Sequence, residues 1–228
     1  MNDPQRPFLV VCLGDSITGC RPGAPYRHQY HKWGDLLELM LEARLVRRRA
    51  HVVNAGHAGD ATRPRGDCPG ALARLGPQVL DAHPDLVLVL LGANNLSPDA
   101  LAEAALDTAA AQAQLRDDLV AIGRSVLASG ALLCLLQYAL PRAADPATAW
   151  AHHGLANEPI AEASRLLGVP CIALEPAFEE AERTGVPREA LADPVDGVHL
   201  RPEGERVVAR AVFAALANLV PSPLASPF

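Results

Sequence analysis

Acyl transfer by an activated serine needs a nucleophile, a base, an acid that orients the base, and donors for an oxyanion. Four separate segments of this chain offer those groups. Ser16 stands in Gly14-Asp15-Ser16-Ile17-Thr18, directly after the apolar run Phe8-Leu9-Val10-Val11-Cys12-Leu13. A hydroxyl at the mouth of a buried strand, where a helix could begin, is where α/β enzymes place a nucleophile. Free amides there can also stabilise developing negative charge. Read by itself, the same serine is simply a helix cap.

The second segment runs from Asn54 to Thr62 and includes Gly56, His57 and Gly59. A glycine in such a loop leaves its amide unshielded, so Gly59 could point a donor at a reacting carbonyl. His57 reads as a surface polar group that could touch substrate. The third segment, Gly92-Ala93-Asn94-Asn95, puts a side-chain amide at a strand end, where it could bind an oxyanion or merely form a turn. The fourth contains Asp196-Gly197-Val198-His199-Leu200. An aspartate three residues before a histidine can hold the imidazole by its Nδ1 hydrogen and leave Nε2 to accept a serine proton. Asp-Gly is also a common turn. Each signal is weak alone; together they supply every group the chemistry requires.

The elements that would position these segments follow from hydrophobic patterning. After the first strand, short apolar runs occur at 51–54, 86–91, 131–136 and 170–174. Continuous rather than alternating apolarity implies burial on both faces, as in a parallel sheet covered by helices. Helical patterns lie between them at about 33–48, 70–82, 98–129, 157–167 and 202–219. Within the long middle one, Leu101, Ala105, Leu115, Leu119, Ile122 and Val126 share a face. Ser97-Pro98-Asp99 marks its start and Gly130 its stop. The alternation predicts a three-layer α/β fold of the doubly wound kind, whose ligands bind outside the carboxyl ends of the strands.

With 228 residues, half of them hydrophobic and a fifth charged, the expected organisation is one domain over 1–228 with loosely ordered tails at 1–7 and 220–228. A net charge of −6 argues against nucleic acid or an anionic membrane as the main partner. The basic stretch from Arg44 to Arg49 reads as a solvated helix end. Five scattered cysteines, Cys12, Cys20, Cys68, Cys134 and Cys171, read as free thiols in a reducing compartment. No run approaches the roughly 20 apolar residues of a membrane span and no secretory leader is legible, so a soluble, cytoplasmic protein is expected. No heptad pattern specifies a coiled-coil partner.

The four blocks, in this order and spread over almost the whole chain, resemble the GDSL, or SGNH, hydrolase family. The resemblance implies a flavodoxin-like, five-stranded parallel α/β/α sandwich that hydrolyses esters or thioesters with no metal or cofactor. By carry-over, Ser16 is the nucleophile, His199 the general base and acid, and Asp196 its orienting partner. The amides of Ser16 and Gly59 and the side chain of Asn94 form the oxyanion hole. Asp15 serves the turn rather than the chemistry, and Asp193 is a weaker candidate for the orienting role. Asn95 departs from the family's usual aspartate, which could loosen the loop after the third strand.

The expected substrate is a small molecule carrying an ester of a small or medium acyl group. A carbohydrate O-deacetylase, a lysophospholipase and a thioesterase are the alternatives within the family. Four phenylalanines and two tryptophans give no broad aromatic platform for a polysaccharide. The basic loop at 20–32, with Arg21, Tyr26, Arg27, His28, Tyr30, His31 and Lys32, reads as solvated. The His152-His153 pair in the segment 138–154 lacks companion ligands for a metal. A non-catalytic flavodoxin-like binding protein is the rival of a different class, but no Gly-rich phosphate fingerprint follows the first strand.

Overall fold

The computed structural model describes residues 6–19, 31–45 and 49–217. Cys20, most of the basic loop at 20–32, Arg47, Arg48 and the tail from Val220 lie outside them. Five strands, β1 (Phe8–Gly14), β2 (Ala50–Gly56), β3 (Leu86–Leu90), β4 (Leu132–Gln137) and β5 (Cys171–Ala173), form one parallel sheet in the order β2-β1-β3-β4-β5. This is the flavodoxin-like order, in which the direction of strand addition reverses at the crevice between β1 and β3. The central strands are almost pure aliphatic because both faces are covered: every residue of β3 is buried.

On one side of the sheet α1 (Trp33–Arg44) packs against α9 (Pro202–Leu216). On the other, α2 (Ala71–Gln78), α4 (Thr108–Ala128) and α6 (Asn157–Leu167) cover it. The expected 98–129 helix is two helices, α3 (Pro98–Ala104) and α4. Ala105 takes a left-handed backbone at φ 51°, and Asp107 caps α4 by accepting the Ala110 amide at 2.8 Å. The turn lets Leu106 pack on the core, so Ala105 leaves the predicted apolar face. Patterning also passed over three short helices, α5 (His152–Leu155), α7 (Glu175–Arg183) and α8 (Arg188–Leu191).

Within the expected N-terminal tail, Arg6 is tied to Asp85 at 2.7 Å, and the same carboxylate accepts the Leu9 amide that begins β1. Among the described residues no helix is long and apolar enough to cross a membrane.

Candidate active site

The turn after β1 does not begin a helix as its sequence suggests. It is a single tight turn, closed by the Gly19 amide donating to Asp15 O at 2.8 Å; the first helix among the described residues, α1, starts at Trp33. Asp15 braces it from inside: Oδ1 accepts the Ile17 amide at 2.9 Å. Ser16 is thereby held at the carboxyl end of β1, 8% exposed, with its Oγ 2.9 Å from His199 Nε2.

His199 arrives from the segment before α9. Its Nδ1 lies 2.8 Å from Asp196 Oδ2, while Asp196 Oδ1 accepts the amides of Val198 and His199 at 3.0 and 3.1 Å. A carboxylate only accepts, so the imidazole hydrogen sits on Nδ1 and Nε2 is left to accept from Ser16. Burial pushes the Asp196 carboxyl up. The hydrogen bonds from His199 and Val198, with the His199 charge, outweigh that and hold it at about 2. Asp193 accepts the Val195 amide at 2.9 Å, and its own amide donates to His199 O at 2.8 Å.

The segment between β4 and α5 clamps the Asp196–His199 turn. Arg142 N donates to Gly197 O at 2.8 Å, Ala144 N to Pro194 O at 2.9 Å and Trp150 N to Asp196 O at 3.2 Å. The approach is so close that Gly197, at φ 75°, has no room for a β-carbon: one would lie 2.2 Å from Ala143 N. Arg142 is fixed in turn by Glu175 at 2.9 Å and by stacking 4.8 Å over Phe178.

The three groups expected to form the oxyanion hole differ in their partners. Among the described residues neither the Ser16 amide nor the Gly59 amide donates to another protein group. The Asn94 side chain gives one hydrogen to Asp60 O at 2.9 Å and keeps a second to donate. Asn95 does not loosen its loop. Its Oδ1 accepts the Thr62 amide at 3.1 Å and its Nδ2 donates to Thr62 Oγ1 at 2.7 Å, while Asp118 of α4 accepts from that hydroxyl. His57 is exposed beside this loop, its amide bonded to Gly14 O at 2.9 Å.

Three contributors gave no local signal, and a fourth, His153, stood out only as half of a histidine pair. Trp150 stands edge-on to His199, ring centres 5.2 Å apart, and stacks on His152 at 6.0 Å. His153 is buried against Trp150 and the edge of Tyr138, and burial with the neighbouring His152 and His199 pushes it down to about 3. Arg74 and Tyr138 brace the Ser16 turn, through Gly14 O at 3.4 Å and Asp15 Oδ2 at 2.5 Å. The histidine pair is therefore part of an aromatic wall. Among the described residues no group of three metal-ligating side chains forms.

Comparison with known proteins agrees with this architecture. The sequence profile of the GDSL-like Lipase/Acylhydrolase family matches residues 12–207. No curated protein matches the sequence at a significant level. Among solved structures, LAE5, an alpha/beta hydrolase enzyme from the metagenome of Lake Arreo in Spain, superposes with a TM-score of 0.70 at 22% identity over 95% of this chain and 98% of its own. Axe2, an acetylxylan esterase from Geobacillus stearothermophilus, gives 0.71 at 18% identity over 95% and 97%. The acetyl xylan esterase AlAXEase gives 0.67 at 19% identity over 91% and 99%. At these identities the likeness is one of fold.

Proposed function

This chain belongs to the GDSL-like lipase/acylhydrolase family, and we propose that within it the protein is a serine esterase working through an acyl-Ser16 intermediate. One observation carries the reading: an unbroken, buried hydrogen-bonded line from Asp196 through His199 to Ser16. His199 Nε2 takes the hydroxyl proton as Oγ attacks the carbonyl carbon of a small or medium acyl ester. The amides of Ser16 and Gly59 and the second Asn94 hydrogen receive the oxyanion. Asp196 stays ionised and steadies the imidazolium. Collapse expels the alcohol, which takes the proton from His199. Water then repeats the steps on the acyl-enzyme and frees the acid and Ser16.

The acyl group and leaving group would enter from the strand ends, between the Trp150 wall and the loop that follows β2. Beside that loop lies a cleft of about 310 Å³ lined by Arg63, Arg65, Asn95, Glu103 and Gln114. Its lining, with two arginines, one glutamate and two side-chain amides beside four apolar residues, offers hydrogen-bond partners to a polyhydroxylated leaving group. With two acetyl xylan esterases among similar structures, it favours an acetylated carbohydrate as the second reading. Free thiols at Cys12, Cys68, Cys134 and Cys171 fit work in a reducing cytoplasm.

Reaction with a fluorophosphonate, followed by mass spectrometry of the adduct, tests the nucleophile. Rapid labelling at Ser16, lost in Ser16→Ala together with hydrolysis of 4-nitrophenyl acetate, is expected. An unlabelled Ser16 under conditions that label another serine hydrolase overturns the reading. A panel of acetylated sugars, acyl-CoA, lysophospholipids and aryl esters of graded length separates the substrate classes. Complete inertness to activated esters, with tight binding of a small ligand, would instead favour a binding protein.

A further inference from the structure

Behind Ser16 lies a second carboxylate that the acyl transfer above leaves unused. Asp15 is wholly buried between Gly14 and Ser16. Its Oδ1 braces the turn through Ile17, and its Oδ2 accepts the Tyr138 hydroxyl at 2.5 Å. Tyr138 comes from just beyond β4, 123 residues away, and is itself buried. Its oxygen also accepts the Ala93 amide at 3.3 Å, and Ala93 directly precedes Asn94. One phenol thus joins the nucleophile turn to the oxyanion turn.

Donor counting fixes the charge this arrangement needs. The phenol has a single hydrogen and gives it to Asp15, so Asp15 must accept at both oxygens. A protonated Asp15 would donate to the phenol oxygen and strand the phenol hydrogen. The other ionisable groups facing Asp15 are His199, from the segment before α9, and Asp60, from the loop after β2. Arg74 of α2 reaches the adjoining Gly14 carbonyl. Burial raises the Asp15 carboxyl to about 6. The Tyr138 and Ile17 hydrogen bonds and the His199 charge restrain that rise, and Asp60 adds to it.

We propose that Tyr138 is a positioning residue that acts through ionised Asp15, holding Ser16 in register with the oxyanion donor Asn94. The proposal rests on Ser16 being the nucleophile. Tyr138→Phe keeps the ring that packs against His153 and removes only the hydroxyl.

The test is steady-state hydrolysis of 4-nitrophenyl acetate across pH by wild type, Y138F, D15N and the double variant. Y138F is expected to lower kcat about tenfold with KM changed less than about twofold, because the misplaced groups act in the transition state. Its low-pH limb should move to higher pH, since the carboxylate has lost a donor. D15N should also lower kcat, and D15N/Y138F should be no slower than D15N, because both act through one link. A folded Y138F with kcat within about twofold of wild type, or losses that multiply in the double variant, overturns the proposal alone. A wild type inert to both the ester and the fluorophosphonate overturns the nucleophile assignment and this proposal with it.

Discussion

Arg74 and Asp60 face each other sealed from solvent, Nη2 to Oδ2 2.5 Å, behind the loop that presents Gly59. The same guanidinium donates to Ala55 O at 2.9 Å and Gln78 Oε1 at 2.7 Å, and reaches Gly14 O at 3.4 Å. A single side chain of α2 therefore fastens the end of β2, the end of β1 and, through Asp60, the loop that follows β2. A buried pair of this kind adds little net stability, because desolvation cancels most of its attraction; removing one partner is what costs.

Arg74→Met is accordingly expected to destabilise the protein by about 3–5 kcal/mol, since it leaves Asp60 charged and unpaired in the interior. Urea denaturation measures this. Adding Asp60→Asn should recover part of the loss. A single variant within about 1 kcal/mol of wild type would show that the pair fastens nothing.

Asp15 and Asp196 pull stability in opposite directions with pH. The Asp15 carboxyl is raised from its ordinary 3.8 to about 6, so its contribution is fully present below pH 3.8 and is lost as pH rises through 6. The Asp196 carboxyl is lowered from 3.8 to about 2, so its contribution is present above 3.8 and is lost as pH falls through 2. Asp15→Asn should therefore be more stable than wild type at pH 8 by up to about 3 kcal/mol, with no such gain at pH 3.5. Denaturation at the two pH values decides the matter, and an equal difference at both would exclude an ionised Asp15.

Gly197→Ala should cripple the enzyme. The left-handed backbone already disfavours alanine by about 1–2 kcal/mol. The new methyl must also displace the backbone of Ala143 and Arg142 or its own turn. Since Asp196 and His199 sit on that turn, a shift of about 1 Å is expected to lower kcat/KM about a hundredfold. Ester kinetics with a folding check by circular dichroism would reveal it; near-normal kinetics would mean that the clamp does not position His199.

The reach of sequence reasoning here follows from the range of each interaction. Ser16, Asp196 and His199 were legible because strand ends and a three-residue spacing are local facts. The strands were legible because burial on both faces imposes unbroken apolar runs. Arg74, Tyr138, Trp150 and Asp118 act through partners brought near only by the sheet order, such as Tyr138 and Asp15 across 123 residues. No periodicity marks such residues. The break at Ala105 was partly visible, since Asp107-Thr108 is an ordinary helix start, but alanine-rich flanks obscured it. The short helix α7 was missed because its mostly polar sequence leaves only Phe178 and Ala181 buried.

Asn95 gives a last, opposite kind of test, because restoring the family's aspartate should harm this protein. The Asn95 amide donates to Thr62 Oγ1 at 2.7 Å, and that hydroxyl spends its own hydrogen on Asp118 Oδ2 at 2.7 Å. An aspartate offers no hydrogen to Thr62 when ionised, and it brings a second carboxylate beside Asp118. Arg63, 2.8 Å from Asp118, neutralises only one of the two. Asn95→Asp is therefore expected to cost about 1–3 kcal/mol at pH 7. Its carboxyl would be raised by the like charge, so the penalty should shrink as pH falls and the group takes up a proton. Urea midpoints at pH 7 and pH 4.5 would show a smaller gap from wild type at the lower pH. A variant as stable as wild type at pH 7 would mean that the Thr62 link tolerates two acceptors, and that Asp118 has not taken over the missing carboxylate's place.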